Sequence, residues 1–430
     1  MRGIQQLKIA RLLPDRLLTY AGVILLMSVL VNLATSFAQY THSLTLPAMQ
    51  ESLHLTYTHV GVLITVAAVV RMFSSLVAGT LAPRYGSRAI IGISALGAGG
   101  SMLLLGASPS FPVALAAMAL MGLATGSALT PMMGLLSPWF KMGDRGLAAG
   151  LAAAGGSVAF VAAGLMVPWL TVQDPGQGWR HTWYLSGLVV IAIGILALFF
   201  LRDRPRNTVM TLSPGTLSRA RRGAWPLAAY KSPLVWLVTF LAFCSGWSQS
   251  IFNTFFGAYL SQENGIALAV AGQLLVLIGL LSVGSGILWG RVSDRFGRGQ
   301  AFLLTFLLQG VGFALFWLMP VLGAFVVASV LMGLALRAAY TVCAAAAGDY
   351  VPVEFSAAAF ALMSVGAGLG SSLSPVIAGA IGDATGTLSW AFALALVTTV
   401  IGMLGAFFLQ HSVATSARVP SSSMEQAREG

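Results

Sequence analysis

The chain is 430 residues long, 57% of them hydrophobic and 8% charged, with a formal net charge of +11. So few charged groups cannot clothe a water-soluble surface of this size, which excludes a soluble globular protein. A membrane span takes about 20 apolar residues, so the length holds roughly a dozen spans with short loops and no large soluble domain.

The chain opens with MRGIQQLKIARLLPDR, which carries Arg2, Lys8, Arg11 and Arg16. It reads as a basic leader, either solvated or laid at the interface through Ile4, Leu7 and Leu12. Apolar runs follow near 17–40, 58–82, 88–107, 112–137, 146–171, 181–201, 234–260, 268–290, 300–319, 322–347, 356–380 and 388–410. The first is too long for a cleavable signal and is expected to be a permanent span. The alternating ten-residue pattern of a transmembrane barrel is absent, so the runs predict an all-α membrane protein with twelve transmembrane helices.

Along the first span Asn32, Thr35, Ser36, Gln39 and Ser43 recur at helical spacing and form one polar face. Span two contains Arg71, with Ser74 and Ser75 one turn further on. The loop 202–234 is long, basic and rich in breakers, and it divides the spans six and six. This gives an N-terminal half over 1–201 with the leader, a cytoplasmic linker over 202–233, a C-terminal half over 234–410 and a cytoplasmic tail over 411–430. Span seven carries Ser245, Gln249 and Asn253 at successive turns. Span ten carries Arg337 near its middle, with Tyr340 and Thr341 expected one turn further on the same face. Pro131 and Pro375 are expected to kink spans four and eleven.

Of the 23 Lys and Arg, all but Arg71, Arg180 and Arg337 fall in the tails or in loops after even-numbered spans. Both termini are therefore expected on the cytoplasmic side of the inner or plasma membrane. Anionic lipid accounts for the positive charge without a nucleic-acid partner. Cys244 and Cys343 both lie inside apolar runs, so no disulfide framework or metal site is expected. His42, His54, His59, His181 and His411 lie at span ends or in loops, and none reads as a proton relay. The GAGLG at 366–370 sits inside a span, not between strand and helix. Neither an enzyme nor an ATP-driven pump is expected, and no cofactor.

The chain repeats itself. GTLAPRYGSR at 79–88 matches GRVSDRFGRG at 290–299, an offset of 211 residues that lays Gly79 on Gly290, Arg84 on Arg295 and Gly86 on Gly297. The same offset lays MGLATGSALT at 121 on MGLALRAAYT at 332. One six-helix unit has been duplicated, and an even number of spans per unit makes the copies parallel and pseudo-symmetric. GRVSDRFGRG resembles the signature loop between spans eight and nine of the major facilitator superfamily, and the resemblance extends over essentially the whole chain. LSPWFKMGDRGLAAGLAAAGGS entering span five and GWRHTWYLSG leading into span six are similar to bacterial carriers related to oxalate/formate antiporters and monocarboxylate carriers.

The resemblance implies a transporter that works by alternating access; with no mid-membrane carboxylate to carry a proton, anion exchange or passive uniport is expected rather than proton coupling. It also implies a latch in which Asp294 lies against the start of span five near Gly146, which Pro83 cannot match on the other half. The alternative is that Asp294 pairs with Arg295 or Arg298 in water. Gly79 and Gly290 are expected to allow close helix approach, and Gly86 and Gly297 to supply the turn. In that superfamily spans one, seven and ten line the substrate cavity. That makes Asn32, Gln39, Gln249, Asn253, Arg337, Tyr340 and Thr341, together with Arg71, the candidate binding residues. Tyr40, Phe252 and Phe256 are candidates to wall an apolar part of the ligand or to be plain packing. An intramembrane arginine is costly and must face protein or a wet cavity. With no Asp or Glu mid-span, an anionic substrate is expected to complete the pairing; the alternative is that each arginine is a structural rivet. Three functions follow: a monomeric carrier of small organic anions, an exporter of amphipathic drugs or aromatic compounds, and a transporter-like receptor.

Overall fold

A computed structural model describes residues 20–136, 138–140, 145–174, 176–203, 230–351 and 355–418. The leader, 204–229 of the linker and the end of the tail lie outside them. The elements are α1 (Tyr20–Leu53), α2 (Tyr57–Tyr85), α3 (Ser87–Gly106), α4 (Phe111–Leu136), α5 (Arg145–Gln173) and α6 (Gly178–Phe200). After the linker come α7 (Pro233–Ala258) with a π turn at Tyr259–Glu263, α8 (Leu268–Phe296), α9 (Arg298–Leu318), α10 (Leu322–Ala335), α11 (Ala338–Asp349), α12 (Ser356–Thr385) and α13 (Ser389–Arg418). Among the described residues twelve segments are long and apolar enough to cross a membrane, α10 and α11 counting together as one span over Leu322–Asp349.

Two boundaries differ from the expectation. The first helix runs on to Leu53 through Pro47 and does not stop near 40. The polar run that suggested an end hides itself: the Thr41 hydroxyl donates to the Phe37 carbonyl at 2.8 Å and Thr45 to the Thr41 carbonyl at 3.1 Å, each one turn back. Span ten, expected to be continuous, is interrupted between Ala335 and Ala338. Gly86 and Gly297 meet the expectation. Both hold positive φ, 84° and 90°, and each hands the chain directly to the next helix, α3 or α9.

The chain packs as two compact units, one of residues up to 48 with 69–211, the other of 49–68 with 212 onward. In the first, Asp203 closes the start of α3 by accepting the Arg88 N–H at 2.9 Å. Arg180, expected in a loop, lies in the first turn of α6 and donates to the Gly106 and Ser108 carbonyls at 2.8 and 2.7 Å. It thereby places a cation on the orphan carbonyls where α3 ends.

In the second unit an aromatic cluster fills the centre. Phe316 stacks on Phe392 with ring centres 5.2 Å apart, and Phe252 and Phe256 pack against Phe316. The start of α2 is seamed to α12 here. The two Asp383 oxygens accept the N–H groups of Tyr57 and Thr58, each at 2.8 Å, and Thr65 donates to the Ser372 carbonyl at 2.6 Å. Between these bonds the backbones touch: a Cβ at Gly379 would stand 2.2 Å from the Tyr57 carbonyl oxygen. Asp383 thus supplies the anion and acceptors that the first turn of α2 lacks. Asp383→Ala is expected to lower the thermal midpoint by the equivalent of about 1 kcal/mol, and Asp383→Asn, which keeps one acceptor, by less. Melting of the three purified proteins in detergent checks the ranking.

Candidate functional site

In the C-terminal unit the site is built on the break in span ten. Leu336 and Arg337 join α10 to α11 outside regular helix, which releases backbone groups that a helix would have paired. Neighbouring side chains take them up. The Ser285 hydroxyl of α8 accepts the Arg337 N–H at 3.2 Å. Trp289 of α8 donates its indole N–H to the Leu334 carbonyl at 2.7 Å. Gln249 of α7 donates to the Leu336 carbonyl at 3.4 Å and to the Ser245 hydroxyl at 3.3 Å.

These bonds fix the backbone and leave the arginine head free. One terminal guanidinium nitrogen of Arg337 is buried without a hydrogen-bond partner, and no carboxylate pairs with it among the described residues. Asn253, one turn beyond Gln249, likewise has a buried carbonyl oxygen without a partner. Tyr340 and Thr341 lie one turn beyond Arg337, as expected: the Thr341 N–H bonds the Arg337 carbonyl at 3.2 Å, so the break falls before the arginine. The Thr341 hydroxyl bonds the Arg337 carbonyl at 3.0 Å, and Tyr340 is 60% exposed, its ring edge-on to Phe360. Of the aromatic candidates, Phe252 and Phe256 are buried packing, and Tyr40 stacks on Phe160 with centres 3.7 Å apart.

The N-terminal unit holds a second constellation. Arg71 on α2 is half-buried, and Tyr40 and His42 on α1 lie within its electrostatic range. The serines beside it serve the backbone: Ser74 donates to the Arg71 carbonyl at 3.1 Å and Ser75 to the Met72 carbonyl at 2.8 Å. Helix α4 reaches this level only because residue 126 is glycine, since a Cβ there would stand 2.3 Å from the Arg71 carbonyl oxygen. Asn32 is buried and accepts the Ser36 hydroxyl at 3.3 Å, and Gln39 is half-buried further along the same helix.

The 211-residue offset joins the two constellations. It lays Arg337 on Gly126, Ser285 on Ser74 and Ser282 on Arg71. In each copy a serine faces the same point of the opposing helix, but the arginine stands on span two in one copy and on span ten in the other. Sequence reasoning passed over Ser285 and Trp289; the repeat itself pointed to Ser285. It also dismissed His42, which is 6% exposed inside α1.

Among the gating candidates, Asp294 pairs with Arg298 at 2.7 Å, and Arg298 also pairs with Asp349 at 2.6 Å and bonds the Ser293 hydroxyl at 2.7 Å. This is the aqueous pairing offered above as the alternative to a latch. Residues 141–144 before α5, where the latch would close, lie outside the described residues. Arg84 and Arg295 are exposed; a side chain at Gly79 would crowd Thr130, and one at Gly290 would only touch Thr341.

Twelve membrane-length helices, a duplicated six-span plan and unpaired arginines in two spans define a polytopic membrane transporter. The description "Major Facilitator Superfamily" matches the sequence twice, over residues 28–244 and 238–428, and the chain belongs to that family. It is similar to a probable sulfoacetate transporter of Cupriavidus necator, 23% identical over 85% of this chain and 88% of that protein. It is also similar to the oxalate:formate antiporter of Oxalobacter formigenes, 24% identical over 70% of this chain and 69% of that one. A bacterial homologue of the human lysosomal transporter Spinster shares the fold with a TM-score of 0.75 and 16% identity, over 91% of this chain and 97% of that one.

Trp289→Phe leaves the Leu334 carbonyl unpaired in an apolar setting, at a cost of about 1–3 kcal/mol. The expected outcome is a lower thermal midpoint than for Trp236→Phe, whose indole N–H bonds the Tyr230 carbonyl at an exposed site. Parallel melts of the two variants test this.

Proposed function

We propose that this transporter is a secondary carrier of small organic anions, carboxylates or sulfonates, working by alternating access between its two units. The observation that carries the reading is Arg337: a guanidinium at a helix break inside a span, its backbone held by Ser285 and its carbonyl by Thr341, with a buried nitrogen that no group among the described residues satisfies. A planar fork of donors suits a carboxylate or sulfonate bidentately. Broken spans are where carriers of several folds hold their substrates. The sulfoacetate and oxalate:formate relatives support the same substrate class, and the second of them supports exchange of one anion for another. Gln249 and Asn253 beside the break serve as further polar contacts, and Arg71, Gln39 and Asn32 are the corresponding candidates within the N-terminal half. An exporter of drugs or aromatic compounds is less well supported, because Phe252 and Phe256 are fully used in packing.

Arg337→Lys keeps the charge and loses the fork, so transport of oxalate or sulfoacetate into proteoliposomes is expected to fall and persist. Arg337→Gln is expected to abolish it, with a loss equivalent to about 2–5 kcal/mol in binding and little change in melting. A well-folded Arg337→Gln protein that transports normally would overturn the anion reading, and one that fails to fold would make Arg337 a rivet.

The carrier works as a monomer in the inner membrane with both termini cytoplasmic, an orientation the basic loops support. Single cysteines introduced into the 204–229 segment are expected to react with an impermeant maleimide only from the cytoplasmic side, and a cysteine at 176 only from outside. The reverse pattern would invert the topology.

A further inference from the structure

The most conspicuous unused group in the N-terminal unit is His42. It is 6% exposed, in the interior of α1, and neither ring nitrogen makes a hydrogen bond, although the Ala38 carbonyl one turn earlier is near it. The neighbouring Ser43 hydroxyl is also buried and unpartnered. A buried polar group left without a partner is costly, and most such groups in folded proteins are satisfied. The charged group that bears on the ring among the described residues is Arg71 of α2. At this level α4 presents Gly126, and Phe160 of α5 covers Tyr40, the other ionisable side chain near Arg71. No carboxylate pairs with either His42 or Arg71 among the described residues.

We infer that His42 and Arg71 form a site for a carboxylate or sulfonate in which His42 takes up a proton when the anion binds. Arg71 supplies the permanent charge and His42 the variable one. Charging the imidazole without an anion would add a second cation within electrostatic reach of Arg71, on a ring that is itself buried. With an anion between them the signs alternate, and the imidazolium gains an acceptor for an N–H that otherwise has none. The proton comes from the solvent, rests on a ring nitrogen and leaves when the anion leaves, with no covalent change. Coupling is reciprocal: if the anion favours the protonated ring, protons favour the anion. The site therefore carries an anion and a proton together. This rests on the anion reading above and deepens it.

The test is calorimetric titration of the full-length protein in nanodiscs with sodium oxalate and with sodium sulfoacetate, each in two buffers of different ionisation enthalpy. For the wild type, close to one proton taken up per anion is expected, with affinity falling about tenfold per pH unit on the alkaline side. His42→Gln, which keeps a polar side chain of similar reach, is expected to bind the anion more weakly, with proton uptake near zero and a flat pH profile. A merely structural histidine would leave the proton stoichiometry unchanged. Anion binding without proton uptake in the wild type, or uptake that survives His42→Gln, overturns this inference and leaves the anion reading standing. Failure of the wild type to bind either anion at any pH overturns both. Should His42→Gln not fold, His42→Asn is titrated in its place, and proton uptake undiminished in that variant overturns the inference.

Discussion

A peptide group inside a bilayer has no water to turn to, so a helix can be interrupted there only if other groups of the protein take over the released donors and acceptors. Span ten meets that condition through Ser285, Trp289 and Gln249, which hold the Arg337 N–H and the Leu334 and Leu336 carbonyls. The interruption gives the arginine a fixed root and leaves its head unengaged. Had the backbone been held by the guanidinium itself, the charge would be consumed in structure. Because other side chains do that work, one guanidinium nitrogen stays without a partner among the described residues, and that is the basis of the anion reading proposed above.

Duplication supplied the frame for this arrangement, and divergence supplied the asymmetry. The paired serines, Ser74 and Ser285, stand at equivalent points of the two copies, and each sits where the fourth span of its copy crosses the second. In the first copy the fourth span carries Gly126 and is pressed against the Arg71 backbone. In the second the fourth span carries Arg337, and Ser282 stands where Arg71 would be. The two copies carry their arginine on opposite partners of the crossing. The result is a cation in each half at the same level of the repeat, reached by different substitutions.

Much of this fold is legible in the sequence because the physics is local. A run of apolar residues long enough to span must be a helix, a basic loop must stay out of the membrane, and a glycine between two helices with no spacer, as at Gly86 and Gly297, must turn the chain. What escaped was tertiary. LALRAAY around Arg337 contains no proline or glycine and consists of good helix formers, so nothing local announces a break that depends on side chains from α7 and α8. His42 was misplaced because Thr41, Ser43 and Thr45 look like the end of a span, while the two threonine hydroxyls are turned back onto the helix's own carbonyls. Composition cannot show that direction. The two candidate arginines stand out by cost, since an arginine in a span demands an explanation, but their relation to Ser285 and His42 needs coordinates.

The acids explain why the arginines are left unpaired. The sequence singled out one acidic residue, Asp294, for its fit to a helix N-terminus, and the same physics operates elsewhere in the molecule. Asp203 accepts from the start of α3, Asp383 from the start of α2 across 326 residues of sequence, Glu263 from Leu388 at the start of α13, and Asp174 from Gln177 just before α6. Asp294 and Asp349 are held by Arg298. Of the 12 Asp and Glu, set against 23 Lys and Arg, these six are fixed near helix ends, and none of the six stands where Arg71 and Arg337 do. An acid moved to mid-span would neutralise an arginine and make it a rivet. Keeping the acids at the helix ends stabilises the bundle and leaves positive charge inside the membrane, which an anion from solution is suited to complete.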